Sequence, residues 1–243
     1  METARLLRYW PYAKGRKRVP KKPRRPCMRV ASWHNRMKYF QKFAHYLTAY
    51  REEFGQLDVK SLLEIGVRDG GSLQYWRRQY PTAEVTGIDV DPECSQHEED
   101  HVRVFIGDQT DREFVSKVAA ERGPFDVIVD DGGHKPGQQR VSFEILWPHL
   151  RSPGCYCVED LNTGYWVSYS GLAAFTGGFM RYAHRLTHLL NGYWHRLHPS
   201  SFWHRTPAMT REITKVTFWD SMVFVHKGEH RTPITVANER ELL

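Results

Sequence analysis

Short apolar segments recur along the middle of this 243-residue chain, and stretches of ten to fifteen residues with helical spacing separate them. The predicted strands are Val59–Ile65, Glu84–Val90, Val102–Ile106, Phe125–Val129 and Gly154–Val158. Continuous apolar runs of this length are typical of parallel strands that are buried on both faces. Near the C-terminus, Ile213–Trp219 and Met222–Lys227 are separated by two residues and predict an antiparallel pair. The sequence therefore predicts an α/β fold with a doubly wound, mostly parallel sheet closed by a C-terminal antiparallel hairpin.

Helical spacing fills the gaps between the predicted strands. The predicted helices are Trp33–Phe54, Gly71–Tyr80, Asp111–Glu121 and Gln138–Leu150. Ligands of doubly wound sheets bind at the carboxyl ends of the strands. The residues that directly follow each strand are therefore the candidates for a functional site.

Composition narrows the class of protein. No apolar run approaches the ~18 residues that a membrane-spanning helix needs, which excludes an integral membrane protein. No N-terminal pattern typical of a secretory signal is visible, and four cysteines are too few and too scattered for a disulfide scaffold. We therefore expect a cytoplasmic protein, with Cys155 and Cys157 acting as small apolar residues of a buried strand.

The net charge of +7 is concentrated at the N-terminus. Residues 1–29 hold 11 Lys and Arg residues and one acidic residue, whereas the remainder is slightly acidic. Lys14–Arg29 combines like charges with three prolines and is expected to be disordered in isolation. Such a tail is compatible with a solvated segment, or with binding to phosphates or an anionic membrane surface. The predicted organisation is a basic tail over residues 1–30 and a single domain over residues 31–243.

Glycine and polar residues follow the first three predicted strands. The turn Gly66–Gly71 is rich in glycine, but its spacing differs from the dinucleotide-binding motif. Asp89 and Asp91 follow the second strand, where an acidic residue can accept hydrogen bonds from a ribose diol. Asp108 and Gln109 follow the third and suit the edge of an adenine. Each feature alone is compatible with turn chemistry or a helix cap, but their order at three successive strand ends favours a ligand that contains adenine and ribose.

Four carboxylates follow the fourth and fifth predicted strands. Asp130 and Asp131 come after FDVIV, and Glu159 and Asp160 come after CYCV. Carboxylates this close would repel one another, and a hard divalent cation, with Mg²⁺ as the default, would offset that repulsion. His134 is placed to take a proton from a hydroxyl held by the metal. The structural alternative is that these groups cap helices and form salt bridges to arginines.

Together these segments resemble the class I S-adenosylmethionine-dependent methyltransferases. The blocks that carry the resemblance are EIGVRDGGSLQYW, VTGIDVDP, GDQTD, FDVIVDDGGH, QQRVSFEILWPHL, CYCVEDLNTGYW and the hairpin KVTFWDSMVFVHKG. More narrowly, they are similar to the metal-dependent sugar O-methyltransferases of the macrocin and mycinamicin type. The resemblance implies a Rossmann-like methyltransferase fold, S-adenosylmethionine and Mg²⁺ as cofactors, and a sugar hydroxyl as the methyl acceptor.

The same resemblance implies roles for individual residues. The cofactor-binding residues would be Glu64, Gly66 and Ser72 near the methionine part, Asp89 on the ribose, and Asp108 and Gln109 by the adenine. The metal ligands would be Asp131, Glu159 and Asp160, and the general base would be His134. Between the two adjacent aspartates, the spacing to His134 favours Asp131 over Asp130.

The acceptor is left open by the sequence. Residues 165–219 hold 12 aromatic residues, which suit either stacking on sugar rings or packing in a core, and residues 165–212 are the predicted acceptor or lid region. The expected partner is a sugar or oligosaccharide, either on a glycosylated natural product or in a methylated polysaccharide of the mycobacterial methylmannose or methylglucose type. The alternatives are a catechol-type O-methyltransferase and a nucleic-acid or membrane-surface binder that works through the tail. Nucleic acid is the less favoured partner, and only the resemblance implies a homodimer.

Overall fold

The computed structural model describes residues 38–169, 178–197 and 207–235. The chain divides into a unit of residues 1–36 and a unit of residues 37–243, and the described residues all belong to the second. The predicted basic tail over residues 1–30 and the first part of the predicted helix Trp33–Phe54 lie outside them.

Within the described residues, a seven-stranded sheet forms the centre of the second unit. Its strands are β1 (Ser61–Ile65), β2 (Glu84–Asp89), β3 (Val102–Ile106), β4 (Phe125–Asp130), β5 (Leu150–Val158), β6 (Ile213–Trp219) and β7 (Met222–Lys227). Their order across the sheet is β3-β2-β1-β4-β5-β7-β6. The first five are parallel to their neighbours, and β7 pairs antiparallel with both β5 and β6. The predicted fold class, including the closing hairpin, is confirmed.

Helices cover both faces of this sheet. They are α1 (Ala44–Phe54), α2 (Gly71–Gln79), α3 (Arg112–Arg122), α4 (Pro136–Leu146), α5 (Gly178–Leu190) and α6 (Gly192–Leu197). Alternate residues of the strands belong to two separate apolar clusters: Leu62 packs with residues of α1 and α2, whereas Leu63 packs with residues of α3, α4 and α5. Because strand order reverses at β1 and β4, the carboxyl ends of these two strands border the crevice in which a ligand of such a sheet binds.

Two predicted helices differ from the structure by more than two residues at one end. The helix predicted over Trp33–Phe54 begins only at Ala44 within the described residues, and residues 38–43 form neither helix nor strand. Phe43 has extended backbone torsions (φ −65°, ψ 141°), which a helix does not allow. The helix predicted to reach Leu150 ends at Leu146 and continues as a 3-10 turn. Pro148 lies in that turn and supplies no N–H for a longer α-helix.

A local sequence signal accounts for the start of α3. Asp111 caps this helix, because its Oδ1 accepts from the backbone N–H groups of Glu113 (3.0 Å) and Phe114 (3.1 Å). Cys155 and Cys157 are fully buried free cysteines on β5, as expected for small apolar residues. None of the helices in the described ranges has both the length and the apolar character needed to cross a membrane.

Candidate active site

A cavity of about 460 Å³ opens at the carboxyl ends of the parallel strands. Eight of the ten residues predicted for the site line it, although they come from strand ends up to 94 positions apart in the chain. They are Gly66, Asp89, Asp108, Gln109, Asp131, His134, Glu159 and Asp160. The other two, Glu64 and Ser72, are absent from the cavity wall.

The turn after β1 approaches the turn after β4 very closely. Gly66 has a positive φ of 95°, and a Cβ at this position would collide with the backbone carbonyl of Asp131. The Asp131 N–H donates to the Ile65 carbonyl at 2.9 Å, which holds the two turns together. Glycine is therefore required here both for its backbone conformation and for the space it leaves.

Glu64 is fully buried directly before this turn. Within the described residues neither of its carboxylate oxygens has a hydrogen-bond partner, and the nearest cation is the Nζ of Lys42 at 3.7 Å. Burial raises the pKa of Glu64 to about 7, and the Lys42 ammonium opposes this increase. Ser72 lies in the first turn of α2. Contact of either residue with a cofactor stays a prediction.

Asp89, at the end of β2, organises the glycine-rich turn. Its Oδ2 accepts from the backbone N–H groups of Val67 (2.8 Å) and Arg68 (3.0 Å), and its Oδ1 accepts from the N–H of Asp91 (2.9 Å). Burial alone would raise the pKa of Asp89, but these backbone donors outweigh burial and lower it. An ionised acceptor therefore faces the cavity at the position expected to bind a ribose.

Asp108 and Gln109 lie beyond β3 and differ in what their side chains do. Asp108 is exposed and accepts from the backbone N–H and hydroxyl of Thr110, both at 2.7 Å, which lower its pKa. Gln109 is 5% exposed; its Oε1 accepts from the N–H of Gly133 at 2.6 Å, and its Nε2 donates to Ser142 at 2.8 Å. Gln109 therefore fixes the turn that follows β4, a role that the sequence did not reveal.

The two adjacent aspartates at the end of β4 point to different places. Asp130 is fully buried and accepts from Gln109 Nε2 (3.2 Å) and the Tyr156 hydroxyl (3.3 Å), and burial raises its pKa to about 7. Asp131 lines the cavity instead. This arrangement supports the choice of Asp131 as the candidate metal ligand.

His134 and Asp160 line the cavity, and each lies on a turn with strained backbone torsions. Both have left-handed backbone torsions (φ 54°), which are uncommon for residues other than glycine and cluster at functional sites. The Nε2 of His134 lies 3.9 Å from Asp131 Oδ1 and 3.6 Å from Asp160 Oδ2. One carboxylate oxygen of each aspartate and one ring nitrogen of His134 lie within 4.8 Å of one another, so a cation held by the two aspartates would lie beside the imidazole.

Neighbouring segments hold the loop that carries Asp160. Thr163 donates its hydroxyl to the carbonyls of Asp160 (2.7 Å) and His134 (3.2 Å), which joins the two strained turns. The turn between β6 and β7 supports the same loop from outside, because the Leu161 N–H donates to the Ser221 carbonyl at 3.0 Å. The closing hairpin therefore helps to shape the cavity although none of its residues lines it.

Lys42 is one residue of the site that sequence reasoning missed. Its Nζ lies 2.6 Å from Asp131 Oδ2 and 2.8 Å from Glu159 Oε2, and its side chain is 4% exposed. Burial lowers the pKa of Lys42, but the carboxylates of Glu159, Asp131 and Glu64 outweigh burial and raise it well above its usual value. A buried ammonium therefore lies among three carboxylates from three different strand ends.

Two tyrosines of α1 also donate to carboxylates of the site. The Tyr46 hydroxyl donates to Asp160 Oδ1 at 2.7 Å, and the Tyr50 hydroxyl donates to Glu159 Oε1. Their spacing of four residues places them on the same face of the helix, a signal that the sequence does contain. The sequence analysis placed both tyrosines in the predicted helix Trp33–Phe54 and singled out neither.

The predicted acceptor or lid region, residues 165–212, is described only in part. Phe179, Ala183 and Leu186 of α5 are buried in the core, so this helix contributes packing. Tyr165, Trp166 and other residues of the loop after Asp160 are exposed. Residues 170–177 and 198–206 lie outside the described residues, and the role of the region stays a prediction.

Comparison with known proteins agrees with this geometry. Residues 63–161 match the model of a methyltransferase domain. The chain is 32% identical over 200 residues to mycinamicin VI 2''-O-methyltransferase of Micromonospora griseorubida, which covers 77% of this chain and 49% of that protein. It is 37% identical over 134 residues to demethylmacrocin O-methyltransferase of Streptomyces fradiae, which covers 52% of this chain and 33% of that protein. The chain thus spans half or less of the length of these relatives.

A solved structure gives the same result. The MycE methyltransferase from the mycinamycin biosynthetic pathway, in complex with Mg, SAH and mycinamycin VI, matches with a TM-score of 0.65 and 30% sequence identity over 79% of this chain and 51% of that one. Taken together, the sequence, the sheet and the cavity show that the chain belongs to the class I S-adenosylmethionine-dependent methyltransferases and resembles, within them, the sugar O-methyltransferases of the macrocin and mycinamicin type.

Proposed function

We propose that this protein transfers a methyl group from S-adenosylmethionine to a sugar hydroxyl with the help of a divalent cation, Mg²⁺ by default. One observation carries the proposal: eight of the ten residues expected to bind the cofactor, the metal and the proton line a single cavity at the carboxyl ends of the strands. The proposal includes a cytoplasmic location and, by resemblance alone, a homodimer, which size-exclusion chromatography with light scattering would test.

The cofactor would lie along the ends of β1, β2 and β3. Asp89 would accept hydrogen bonds from the ribose, and its lowered pKa keeps it ionised at neutral pH. Gly66 lets this turn approach the turn after β4 beside the expected position of the methionine part, because a Cβ here would collide with the Asp131 carbonyl. Asp108 and Gln109 border the remaining side of the cavity, where the adenine is expected.

The donor groups beyond β4 and β5 suit a hard divalent cation. Asp131 Oδ1 and Asp160 Oδ2 both face the Nε2 of His134, and carboxylate oxygens are the ligands that Mg²⁺ prefers. When bound, such a cation would hold the acceptor hydroxyl and lower its pKa. Glu159 is the third ligand that the family resemblance implies.

His134 would accept the proton of the acceptor hydroxyl at Nε2. The hydroxyl oxygen would form a bond to the methyl carbon of the sulfonium while the bond between that carbon and sulfur breaks, so that the proton is the only other group to leave the acceptor. The left-handed backbone at His134 and the hydrogen bond from Thr163 to its carbonyl fix the position of the turn that carries the ring. A base held beside the acceptor hydroxyl in the right orientation would raise the rate of methyl transfer.

The acceptor class is drawn from the relatives. Two relatives are named as a rhamnosyl tetracenomycin-C 2'-O-methyltransferase and an L-olivosyl-oleandolide 3-O-methyltransferase. A sugar hydroxyl of a glycosylated natural product is therefore the first class that we propose. A methylated polysaccharide of the mannose or glucose type is the second. A catechol serves as the discriminating acceptor for the small-molecule alternative, because it also presents two adjacent hydroxyls.

The test combines binding with transfer. Calorimetric titration with S-adenosylmethionine is followed by transfer of labelled methyl to glycosylated macrolides, oligosaccharides of mannose and glucose, and a catechol, with Mg²⁺ and with EDTA. We expect cofactor binding, transfer to a sugar acceptor, and loss of transfer in EDTA. Transfer that persists in EDTA would contradict the metal role, and preferential transfer to the catechol would contradict the sugar acceptor.

Variants separate the base from the rest of the site. His134→Ala is expected to lower kcat by about 10²–10⁴-fold while cofactor affinity stays within about twofold, because the imidazole acts on the acceptor. His149→Ala is the matched control, since His149 does not line the cavity. Equal losses in both variants would contradict the assignment of His134.

A further inference from the structure

We propose that Lys42 and a divalent cation occupy the same carboxylates in turn, so that the lysine ammonium takes the position of the metal whenever no metal is bound. The inference deepens the proposed function and rests on its metal site. It concerns a residue that neither the sequence motifs nor the comparisons single out.

The geometry around Lys42 is that of a cation site. Its Nζ lies 2.6 Å from Asp131 Oδ2 and 2.8 Å from Glu159 Oε2, with Glu64 Oε1 at 3.7 Å. Two of these carboxylates, Asp131 and Glu159, are among the three implied metal ligands. The ammonium therefore lies where the charge of the cluster would draw a metal ion.

Both carboxylate oxygens of Glu159 are engaged in this structure. Its Oε2 accepts from Lys42, and its Oε1 accepts from the Tyr50 hydroxyl. The side chain is buried at the border of the cavity. A metal ion that binds the same oxygens of Asp131 and Glu159 would lie too close to the ammonium in its present position, so the two cations exclude each other there.

The cluster places three carboxyl groups around one lysine. Glu64 is fully buried, and within the described residues its ion-pair partner is Lys42 at 3.7 Å. An ionised carboxylate in this state is costly unless positive charge lies close by. A divalent cation brings twice the charge of the ammonium, which favours the exchange once metal is available.

Lys42 is attached to the fold in a way that permits the exchange. It belongs to residues 38–43, which form neither helix nor strand, and it precedes the exposed Phe43. Withdrawal of its side chain therefore breaks no hydrogen bond of a helix or of the sheet. A lysine also has a flexible four-carbon stem that can carry its charge toward solvent.

Chemical labelling tests the exchange directly. The native protein is treated briefly with acetic anhydride, with and without saturating Mg²⁺, and acetylation of Lys42 is measured by mass spectrometry. We expect Lys42 to be protected without metal and its labelling to rise at least tenfold with Mg²⁺. Lys60, whose side chain is 67% exposed, is the internal control and should be labelled equally in both conditions. Continued protection of Lys42 at saturating Mg²⁺ would overturn the proposal.

Metal affinity provides an independent test. Mn²⁺ binding is measured by calorimetry for the wild type, Lys42→Met and the matched control Lys60→Met. Removal of the competing ammonium should tighten Mn²⁺ binding at least tenfold, equivalent to about 1.4 kcal/mol, and Lys60→Met should match the wild type. Equal or weaker binding by Lys42→Met, or no Mn²⁺ binding by any variant, would overturn the proposal. If Lys42→Met fails to fold without metal, Lys42→Gln replaces it.

These measurements do not depend on methyl transfer. Tighter Mn²⁺ binding by Lys42→Met in a protein that methylates no sugar would support the exchange and contradict the proposed function. Methyl transfer that requires metal, combined with a permanently protected Lys42, would support the proposed function and contradict the exchange.

Discussion

Removal of the Glu53 side chain should weaken the attachment of α1 to the closing hairpin. Its Oε2 accepts from Lys215 Nζ (2.7 Å) and His226 Nε2 (2.8 Å), and its Oε1 accepts from Trp219 Nε1 (3.1 Å). Lys215 is half exposed and can turn to solvent, so its ion pair contributes little. The indole and imidazole groups are less exposed and would lose a charged acceptor.

The expected loss follows from these contacts. Hydrogen bonds to a charged group contribute about 1.5–3 kcal/mol each, and donors left without a partner add to the loss. We therefore expect Glu53→Ala to lower the free energy of unfolding by about 3 kcal/mol at neutral pH. For a domain of this size that corresponds to a decrease in Tm of about 6–12 °C.

The effect should depend on pH in a defined direction. Burial alone would raise the pKa of Glu53, but the hydrogen bonds from Lys215, Trp219 and His226 outweigh burial and lower it below its usual value of 4.5. A carboxyl group whose pKa is lower in the folded than in the unfolded protein stabilises the fold when the pH is above its pKa in the unfolded protein. That stabilisation is lost as the pH falls through its pKa in the folded protein. The difference in stability between wild type and Glu53→Ala should therefore be full above about pH 5 and should shrink below pH 4.5.

Circular dichroism during thermal and urea unfolding, at about pH 7.5 and pH 4, measures both quantities. Glu52→Ala is the matched control, because Glu52 is the exposed neighbour on the same helix. A loss for Glu53→Ala that lies within 0.5 kcal/mol of that for Glu52→Ala, or that does not change with pH, would refute the reasoning.

Three further substitutions test cofactor binding and the cap of α3. Asp89→Ala should weaken S-adenosylmethionine binding by about 10–100-fold in calorimetry, because a ribose acceptor and the support of the glycine turn are both lost; a change below threefold would contradict this. Gly66→Ala should abolish cofactor binding, since its Cβ collides with the Asp131 carbonyl, whereas Gly137→Ala, which meets no atom within 4 Å, should bind normally. Asp111→Ala should lower the free energy of unfolding by about 0.5–2 kcal/mol through loss of the α3 cap, and an unchanged urea midpoint would argue against that cap.

The strands of the sheet could be predicted from the sequence because the pattern that identifies a strand is local. Val102–Ile106, Ile213–Trp219 and Met222–Lys227 have the predicted bounds, since each is a continuous run of β-forming residues that a turn ends. The predicted start of α1 was wrong because helical spacing continues into residues 38–43, where long-range contacts of Lys42 compete with helix formation. Periodicity alone does not contain that competition.

The candidate site likewise contains residues that a local pattern predicts and one that it does not. Asp89, Asp131 and His134 follow strands, so the fold class alone predicts that they meet at one edge of the sheet. Lys42 reaches the same edge from a segment outside the sheet, and its partners are 89 and 117 positions away. No local pattern distinguishes such a lysine from a solvated one.

The hydrogen bond from Leu161 to Ser221 has a consequence for the order in which the protein becomes functional during synthesis. The ribosome completes the five parallel strands long before it reaches β6 and β7, and until then β5 is an unpaired edge that can associate with other chains. The loop that carries Asp160 gains its outer support only after the turn at Ser221 has formed. A nascent chain that stops between β5 and the hairpin therefore has the parallel sheet available but lacks the support for a finished cavity.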